Sequence, residues 1–241
     1  MALKPPIHFE TYGQGPALML GYPLMASKIP DSPAPGALEG YLGRLTDHYR
    51  VLVMDYPNMG RSEPIPAGEL TAGRVCNDLL RVADAATFDR FAWWGYSWGG
   101  IVGLLLAGRT DRLTGLVCGG WSPLGGLHRD VLESCRAARR TLAQQEQYVT
   151  FYESIQDWQE AQAVRGLFCP RMAYAGSEDV IERGGARMET AARLRAHRRD
   201  LEMLGWEVEE IPGADHSVWT DPGSVVPRVR PFLDKATGRG T

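Results

Sequence analysis

The chain has 241 residues, of which 44% are apolar and 23% charged, and its formal net charge is -3. These values are ordinary for a single soluble α/β domain. Because charges of both signs are well mixed and no basic stripe is present, nucleic acid is not an expected partner. The N-terminus lacks a signal-peptide pattern and no apolar run is long enough to cross a bilayer, so we expect a cytoplasmic protein without a membrane partner.

The cysteines predict neither a zinc site nor a disulfide framework. They are scattered, with no Cys-x-x-Cys pair and no histidine close to any of them in sequence. We expect them to be reduced packing residues, and we expect no metal. They are Cys76, Cys118, Cys135 and Cys169.

Short apolar runs ending at glycine or a turn alternate with stretches of helical spacing, which is typical of βαβ units around a parallel sheet. The predicted strands are 17–21, 50–54, 90–95, 113–118, 171–175 and 207–211. Most are apolar throughout, as strands buried on both faces are. Residues 7–12 alternate in character and precede a Gly-Gln-Gly-Pro turn, which predicts an antiparallel edge strand. The fold class is therefore α/β, with a mostly parallel, doubly wound sheet.

Helical spacing predicts helices over 72–86, 98–108, 185–204 and 222–236. In the third of these, Ala191, Leu194, Leu201 and Leu204 share one apolar face. The arginine-rich run 193–199 fits a solvated helix face better than an anion site.

Between Trp121 and Phe168 the alternation of strand and helix stops. A Pro-Leu-Gly-Gly turn there is followed by charged sequence that favours helix. We predict that residues 122–166 form a small helical cap inserted into a core domain made of residues 1–121 and 167–241.

Residues 95–99, Gly-Tyr-Ser-Trp-Gly, match the pattern Gly-x-Ser-x-Gly. An apolar strand precedes them and a helix-like segment follows, which is the context that a nucleophile elbow needs. On such a strained turn the serine hydroxyl projects into open space, and the glycines let neighbouring backbone pass without a clash. The helix that starts there also directs its positive end towards developing negative charge. Ser97 is therefore the candidate nucleophile.

A serine hydroxyl needs a histidine to accept its proton, and His216 has the right placement. It lies between the last predicted strand and the final helix, at the carboxyl edge of the sheet, where open α/β sheets bind ligands. The other histidines lack that placement; they are His8, His48, His128 and His197.

Asp179 is the favoured partner for this histidine, because it follows the strand 171–175 and again lies at a carboxyl end. The chain order is then Ser97, Asp179, His216. Glu178 and Asp215 remain rivals, although each also fits a solvated loop carboxylate or a helix cap.

On these motifs the chain resembles the α/β-hydrolase superfamily over its whole length except the cap. Residues 55–62, Asp-Tyr-Pro-Asn-Met-Gly-Arg-Ser, are similar to a structural turn of that family, Asp-x-x-x-x-Gly-x-Ser. Residues 20–23, Leu-Gly-Tyr-Pro, resemble its His-Gly-x-Pro oxyanion loop, with Leu20 in place of the usual histidine. The resemblance implies an oxyanion hole formed by the backbone amides of Tyr22 and Trp98.

The resemblance implies acyl transfer on Ser97, with an ester, thioester, lactone or related carbonyl compound as a small-molecule substrate and no cofactor. A serine elbow argues against haloalkane dehalogenases and epoxide hydrolases, whose elbow carries aspartate. Two alternatives stay open: a non-hydrolytic lyase or cyclase that uses Ser97 and His216 as acid and base, and a catalytically decayed binding protein.

Several apolar side chains are candidates for a substrate pocket between cap and sheet, although each also fits an ordinary core position. A small apolar or aromatic acyl group is the corresponding substrate. The candidates are Met25, Trp121, Trp158 and Trp219.

Overall fold

The computed structural model describes residues 7–22, 36–139 and 145–238 of the chain. Its strands are β1 (Phe9–Tyr12), β2 (Ala17–Gly21), β3 (Arg50–Met54), β4 (Phe91–Tyr96), β5 (Leu113–Gly119), β6 (Arg171–Gly176), β7 (Ile181–Arg183), β8 (Ala186–Met188) and β9 (Trp206–Ile211). One sheet has the order β1-β3-β2-β4-β5-β6-β9, and β7 and β8 form a separate antiparallel hairpin. Within the large sheet only β1 is antiparallel to its neighbour.

The helices are α1 (Ala37–Leu45), α2 (Ala72–Ala85), α3 (Trp98–Ala107), α4 (Leu127–Ala138), α5 (Glu146–Glu153), α6 (Glu160–Arg165), α7 (Thr190–Ala196), α8 (Arg198–Met203) and α9 (Pro222–Ala236). None of these described helices is both long and apolar enough to cross a membrane.

The alternation of side chains along the strands divides the core between the two faces of the sheet. Met19 and Trp93 belong to the apolar cluster that includes α2 and α3. Leu18 and Trp94, their neighbours in sequence, belong to the cluster that includes α1 and α9. Both faces are therefore covered by helices, which explains why the strands are apolar throughout and confirms the doubly wound arrangement.

Most predicted elements are confirmed, with ends that differ by at most two residues, but the predicted helix 185–204 is wrong at its start and in its middle. Residues 181–188 form the β7–β8 hairpin, in which Gly184 and Gly185 have φ angles of 59° and 77°. Two consecutive left-handed residues make the tight turn of a hairpin, and glycine adopts them without strain. Helix α7 begins only at Thr190, and His197 separates it from α8.

Helices α4, α5 and α6 occupy the chain between β5 and β6, where the cap is predicted. Helix α4 packs on α5 and also on the β7–β8 hairpin. The hairpin therefore joins the surface that these helices build, although it lies beyond the predicted end of the cap.

The strand order reverses at β2. The chain passes from β2 to β3 on one side and then crosses to β4 on the other side. A crevice opens at the carboxyl ends of two strands where the order reverses in this way, and ligands bind there in open α/β sheets. The carboxyl ends of β2 and β4 thus define the place of the site.

Candidate active site

Ser97 stands at the sharp turn between β4 and α3. Its backbone has φ 52° and ψ -116°, one of the few non-glycine residues of the described chain with a positive φ. Such a conformation costs about 1–3 kcal/mol, so the surrounding structure must impose it. The amide of Ser97 donates to the carbonyl oxygen of Gly119, 2.8 Å away, which ties the turn to the end of β5.

Close backbone contacts around the turn explain its glycines. A Cβ atom on Gly99 would lie 1.6 Å from the carbonyl oxygen of Gly21, and a Cβ on Gly95 would lie 2.0 Å from that of Gly99. The indole nitrogen of Trp93 donates to the Gly99 carbonyl at 3.0 Å. The turn is therefore packed directly, backbone on backbone, against the end of β2.

The structure brings Ser97, His216 and Asp179 together in one hydrogen-bonded line. Nε2 of His216 is 3.0 Å from the Ser97 hydroxyl oxygen, and Nδ1 lies 2.9 and 3.0 Å from the two carboxylate oxygens of Asp179. Because an ionised carboxylate only accepts hydrogen bonds, Nδ1 carries the proton and Nε2 is left to accept from the serine. Asp179 is fully buried, so its charge is directed at the imidazole.

Two loops are fastened to each other to produce this alignment. The amide of Glu178 donates to the carbonyl of Ala214 at 2.9 Å, and the amide of Gly213 donates to the Ser177 hydroxyl at 2.8 Å. These bonds join the loop after β6 to the loop after β9. Asp179 and His216 are therefore adjacent although they are far apart in the chain.

The rival carboxylates have other surroundings. Glu178 is exposed. Asp215 accepts hydrogen bonds from the amide and hydroxyl of Ser217, at 2.8 and 2.6 Å, and these bonds lower the pKa of its carboxyl below the usual value. Asp215 thus caps the short 3-10 turn that begins at His216.

The amides of Tyr22 and Trp98, the predicted oxyanion donors, belong to the two backbone segments that meet at Gly21 and Gly99. The Trp98 amide is the first of α3, where no intrahelical acceptor exists, and Tyr22 follows directly after β2. Both residues line the cavity above Ser97. Leu20, at the position of the family's histidine, is buried in the core beside α1 and α9.

Buried tyrosine hydroxyls hold the segment after β2 from below. The Tyr22 hydroxyl lies 3.2 Å from that of Tyr41 and 3.1 Å from that of Tyr174. Trp94 donates to the Tyr174 hydroxyl at 3.2 Å, and Tyr41 donates to the backbone of Trp219 at 3.0 Å. Burial raises the pKa of Tyr22 well above its ordinary value, so its hydroxyl stays protonated and able to donate.

Tyr96 extends this tyrosine cluster to the catalytic histidine candidate. Its ring stacks on Tyr22 with centroids 5.8 Å apart, and it lies 5.3 Å from the His216 ring. Its hydroxyl donates to the His216 carbonyl at 2.8 Å. The segment after β2, the turn at Ser97 and the loop that carries His216 therefore share one aromatic support.

Residues 55–62 form the structural turn that the resemblance implies. The buried Asp55 carboxylate accepts from the amide of Arg61 at 2.8 Å. Gly60 has φ 51°, and a Cβ on it would lie 2.3 Å from that carboxylate. This turn presents Met59 and Gly60 to the cavity.

A cavity of about 630 Å³ lies over Ser97 and His216. Of the predicted pocket residues, Trp121 and Trp219 line it. Met25 lies outside the described residues. Trp158 is not in its wall: the ring packs edge-on against His128, 5.6 Å away, and borders a depression beside Leu104 and Leu105, more than one turn of α3 from Ser97.

Much of the opposite wall escaped prediction from the sequence. It comes from α4, from α5 and from the β7–β8 hairpin. Only the hairpin left a local signal, because two short runs flanking Gly-Gly are typical of a β-hairpin. The wall residues that were missed include Leu127, Val131, Cys135, Tyr148, Tyr152, Ile181, Arg183, Met188 and Thr190.

Within the described part of the chain, no group of three His, Cys, Asp or Glu side chains is arranged to hold a metal ion. All the cysteines are free, and burial raises the pKa of each thiol. Their surroundings are those of packing residues.

Comparison with known proteins agrees with this geometry. Residues 39–125 match the family model described as alpha/beta hydrolase fold. A protein of Agrobacterium fabrum named as a carbamate hydrolase, RutD, is 27% identical over 111 residues, which cover 44% of this chain and 40% of that protein. The chain thus matches less than half the length of this curated relative.

Solved structures resemble the chain along almost its whole length. An esterase from Thermogutta terrifontis superposes with a TM-score of 0.71 at 19% identity, covering 96% of this chain and 94% of that one. An enol-lactonase from Burkholderia xenovorans superposes with a TM-score of 0.68 at 20% identity, covering 94% of this chain and 96% of that one. An epoxide hydrolase from Vigna radiata superposes with a TM-score of 0.72 at 12% identity, covering 95% of this chain and 94% of that one. At these identities the likeness shows the fold alone, which hosts several chemistries.

The chain has the α/β-hydrolase fold.

Proposed function

We propose that this protein is a serine hydrolase that cleaves an ester, thioester, lactone or related carbonyl compound through an acyl-enzyme on Ser97. The observation that carries the proposal is the unbroken line of hydrogen bonds from the Ser97 hydroxyl through His216 to the buried carboxylate of Asp179. That line opens into a cavity large enough for a small-molecule substrate. The esterase and enol-lactonase among the structural neighbours have the same fold.

In the proposed reaction the Ser97 oxygen attacks the substrate carbonyl carbon while Nε2 of His216 takes the hydroxyl proton. The carbonyl oxygen gains negative charge, which the amides of Tyr22 and Trp98 stabilise. His216 then gives its proton to the leaving group, and a water molecule, activated by the same nitrogen, hydrolyses the acyl-enzyme. Asp179 holds the imidazole in the required tautomer throughout and stabilises its charged form.

We also propose that residues 122–166 act as the cap. Leu127 and Val131 of α4 and Tyr148 and Tyr152 of α5 line the cavity opposite Ser97. Trp121 stacks on Tyr152 with centroids 6.4 Å apart, which makes this wall aromatic and apolar. Such a wall excludes water from the acyl group and strengthens the electrostatic interactions at the reacting carbonyl.

A fluorophosphonate probe with the wild type and Ser97→Ala tests the proposal. The probe should label the wild type and should fail to label Ser97→Ala. Hydrolysis of 4-nitrophenyl esters should fall by about 10⁴-fold or more in the variant, because the residual rate comes only from binding and the oxyanion donors.

The matched control is Ser224→Ala, which removes an exposed hydroxyl at the start of α9. The probe should label Ser224→Ala, and this variant should hydrolyse the esters, as with the wild type. Labelling that persists in Ser97→Ala would disprove Ser97 as the nucleophile. Turnover of a natural substrate that survives Ser97→Ala would point instead to a lyase or cyclase, and a folded wild type that neither labels nor turns over would point to a binding protein.

A further inference from the structure

The charged groups on the cavity wall have one sign. Among the described residues that line the cavity, none is aspartate or glutamate, whereas Arg183 supplies a guanidinium. The Asp179 carboxylate lies behind His216 and is bonded to it, so it does not line the cavity. Within the part of the cavity wall that the structure describes, a bound molecule therefore meets positive charge and no negative side chain.

Arg183 has no carboxylate partner among the described residues. Its Nε donates to the Ser134 hydroxyl at 3.1 Å, and one terminal nitrogen lies 3.7 Å from the Cys135 sulfur. The Ser134 hydroxyl in turn donates to the Arg183 carbonyl at 3.0 Å. These contacts fix the side chain against α4 with neutral partners, which leave its charge uncompensated.

Arg187, on the other strand of the same hairpin, shows the usual alternative. It is exposed and pairs with Glu182 at 2.7 Å and with Glu189 at 2.9 Å. The hairpin thus holds one arginine that is neutralised at the surface and one at the cavity that pairs with no acidic side chain of residues 7–22, 36–139 and 145–238.

Four other residues of the wall each have a buried polar atom without a hydrogen-bond partner among the described residues. These atoms are the indole nitrogens of Trp98 and Trp121, the hydroxyl oxygen of Thr190 and the amide oxygen of Gln145. An indole N–H can only donate. The Gln145 oxygen can only accept, so unmet donors and an unmet acceptor both border the cavity, and the charge of the ligand is indicated by Arg183 alone.

We propose that Arg183 binds a carboxylate of the substrate, so that this enzyme acts on an ester, lactone or related carbonyl compound that carries a second, ionised acid group. A guanidinium matches a carboxylate geometrically, and a partly desolvated charge gains most from such a partner. The proposal rests on the proposed hydrolysis at Ser97 and narrows its substrate class. It adds an ionised acid group, on either side of the scissile bond, to the substrate with a small apolar or aromatic acyl group that the sequence predicts.

Matched ester pairs test this proposal with the carboxylate on either side of the scissile bond. One pair is mono-4-nitrophenyl adipate and its methyl ester; the other is 4-acetoxybenzoate and its methyl ester. In at least one pair the wild type should prefer the charged ester. In Arg183→Met that preference should fall by about tenfold or more in kcat/KM, which corresponds to about 1.4 kcal/mol.

The loss should appear in KM for the charged ester and should be much smaller for the neutral ester, which offers no carboxylate for Arg183 to bind. Arg187→Met, which removes the same charge from the other strand, should behave as the wild type. Equal rates for charged and neutral esters in both pairs, or a preference that survives Arg183→Met, would overturn the proposal.

A binding measurement separates this proposal from the proposed hydrolysis. Ser97→Ala cannot turn over, yet calorimetry on it should show monomethyl adipate binding more tightly than dimethyl adipate, and a further Arg183→Met change should remove the difference. If binding behaves so while the wild type fails to react with the fluorophosphonate, the carboxylate site stands and the hydrolase proposal falls. If the probe labels the wild type and the binding difference is absent, the hydrolase proposal stands and the carboxylate site falls.

Discussion

The two walls of the cavity are built in different ways. The wall on the sheet side is held by backbone contacts, in which Gly21, Gly95 and Gly99 touch with no room for a side chain. The wall formed by α4, α5 and the β7–β8 hairpin reaches the cavity with side chains, such as Val131, Tyr148 and Arg183. A change on the first wall moves the reacting groups, whereas a change on the second wall alters what fits against them.

This difference separates the chemistry from the choice of substrate. Proteins named as an esterase, an enol-lactonase and an epoxide hydrolase share this fold, so the sheet framework alone does not select the reaction. The residue at the elbow and the side chains on the wall formed by α4, α5 and the β7–β8 hairpin must select the reaction. The predictions below test whether the two walls can be perturbed independently.

The largest effect is expected from Asp179→Asn. An asparagine keeps the shape of the side chain but favours the wrong tautomer of His216, so kcat should fall by about 10⁴-fold. Stopped-flow or steady-state hydrolysis of 4-nitrophenyl acetate measures this, and circular dichroism checks that the fold is retained. Glu178→Gln and Asp215→Asn are the matched controls and should retain most of the activity. A greater loss of activity from Asp215→Asn than from Asp179→Asn would show that Asp215, and not Asp179, is the acid that orients His216.

The second effect concerns stability. Gly99→Ala places a methyl group 1.6 Å from the Gly21 carbonyl, a contact that only backbone displacement can relieve. The free energy of unfolding should drop by about 3 kcal/mol or more, and activity should be lost with the shape of the elbow. Urea denaturation measures the change.

Gly43→Ala is the control for Gly99→Ala. Gly43 is exposed in α1, and a Cβ there meets nothing within 4 Å. This variant should gain about 0.5–1 kcal/mol, because alanine loses less conformational entropy in a helix than glycine does. If both variants lost stability equally, the backbone contact at the elbow would not be the cause.

The smallest effect is expected from Tyr22→Phe, which removes a hydroxyl bonded to Tyr41 and Tyr174 beneath the proposed oxyanion donors. The lost hydrogen bonds should cost about 1–2 kcal/mol of stability. A less firmly held amide should lower kcat by about three- to tenfold with KM unchanged. Tyr148→Phe, on the wall formed by α4, α5 and the β7–β8 hairpin, should change KM and leave kcat intact. An unchanged kcat in Tyr22→Phe would mean that backbone packing alone braces the oxyanion loop.

The same variant has a signature at alkaline pH. Burial raises the pKa of Tyr22 and Tyr174 above the ordinary value of 10, so the folded state keeps protons that the unfolded chain loses. Stability is therefore complete below pH 10 and decreases above it, by about 1.4 kcal/mol per pH unit for each such tyrosine. Tyr22→Phe should reduce that slope by one tyrosine's share in denaturation curves recorded above pH 10. A slope equal to that of the wild type would contradict the buried, protonated state of Tyr22.

The parts of the fold that were predictable have local signatures. Strands β2 to β6 are short apolar runs bounded by glycine and turn residues, and α9 has an unbroken helical spacing from Pro222. Ser97 follows β4 directly, and Asp179 and His216 lie in the loops after β6 and β9, so their common edge follows from the parallel topology. The predicted helix 185–204 is wrong at its start because Gly184 and Gly185 form the turn of the β7–β8 hairpin, and the helical pattern holds only from Thr190.

By itself the sequence determined the sheet, the elbow and the candidate triad, because strand ends and glycine positions are encoded within a few residues of each other. Tertiary structure alone decided which aromatic side chains line the cavity, why Trp158 lies apart from it, and that Arg183 lies at its wall with no acidic partner in the described part of the chain. Those features depend on how α4, α5 and the hairpin pack over the sheet. Such packing brings together residues that are far apart in the chain, so a local sequence pattern does not predict it.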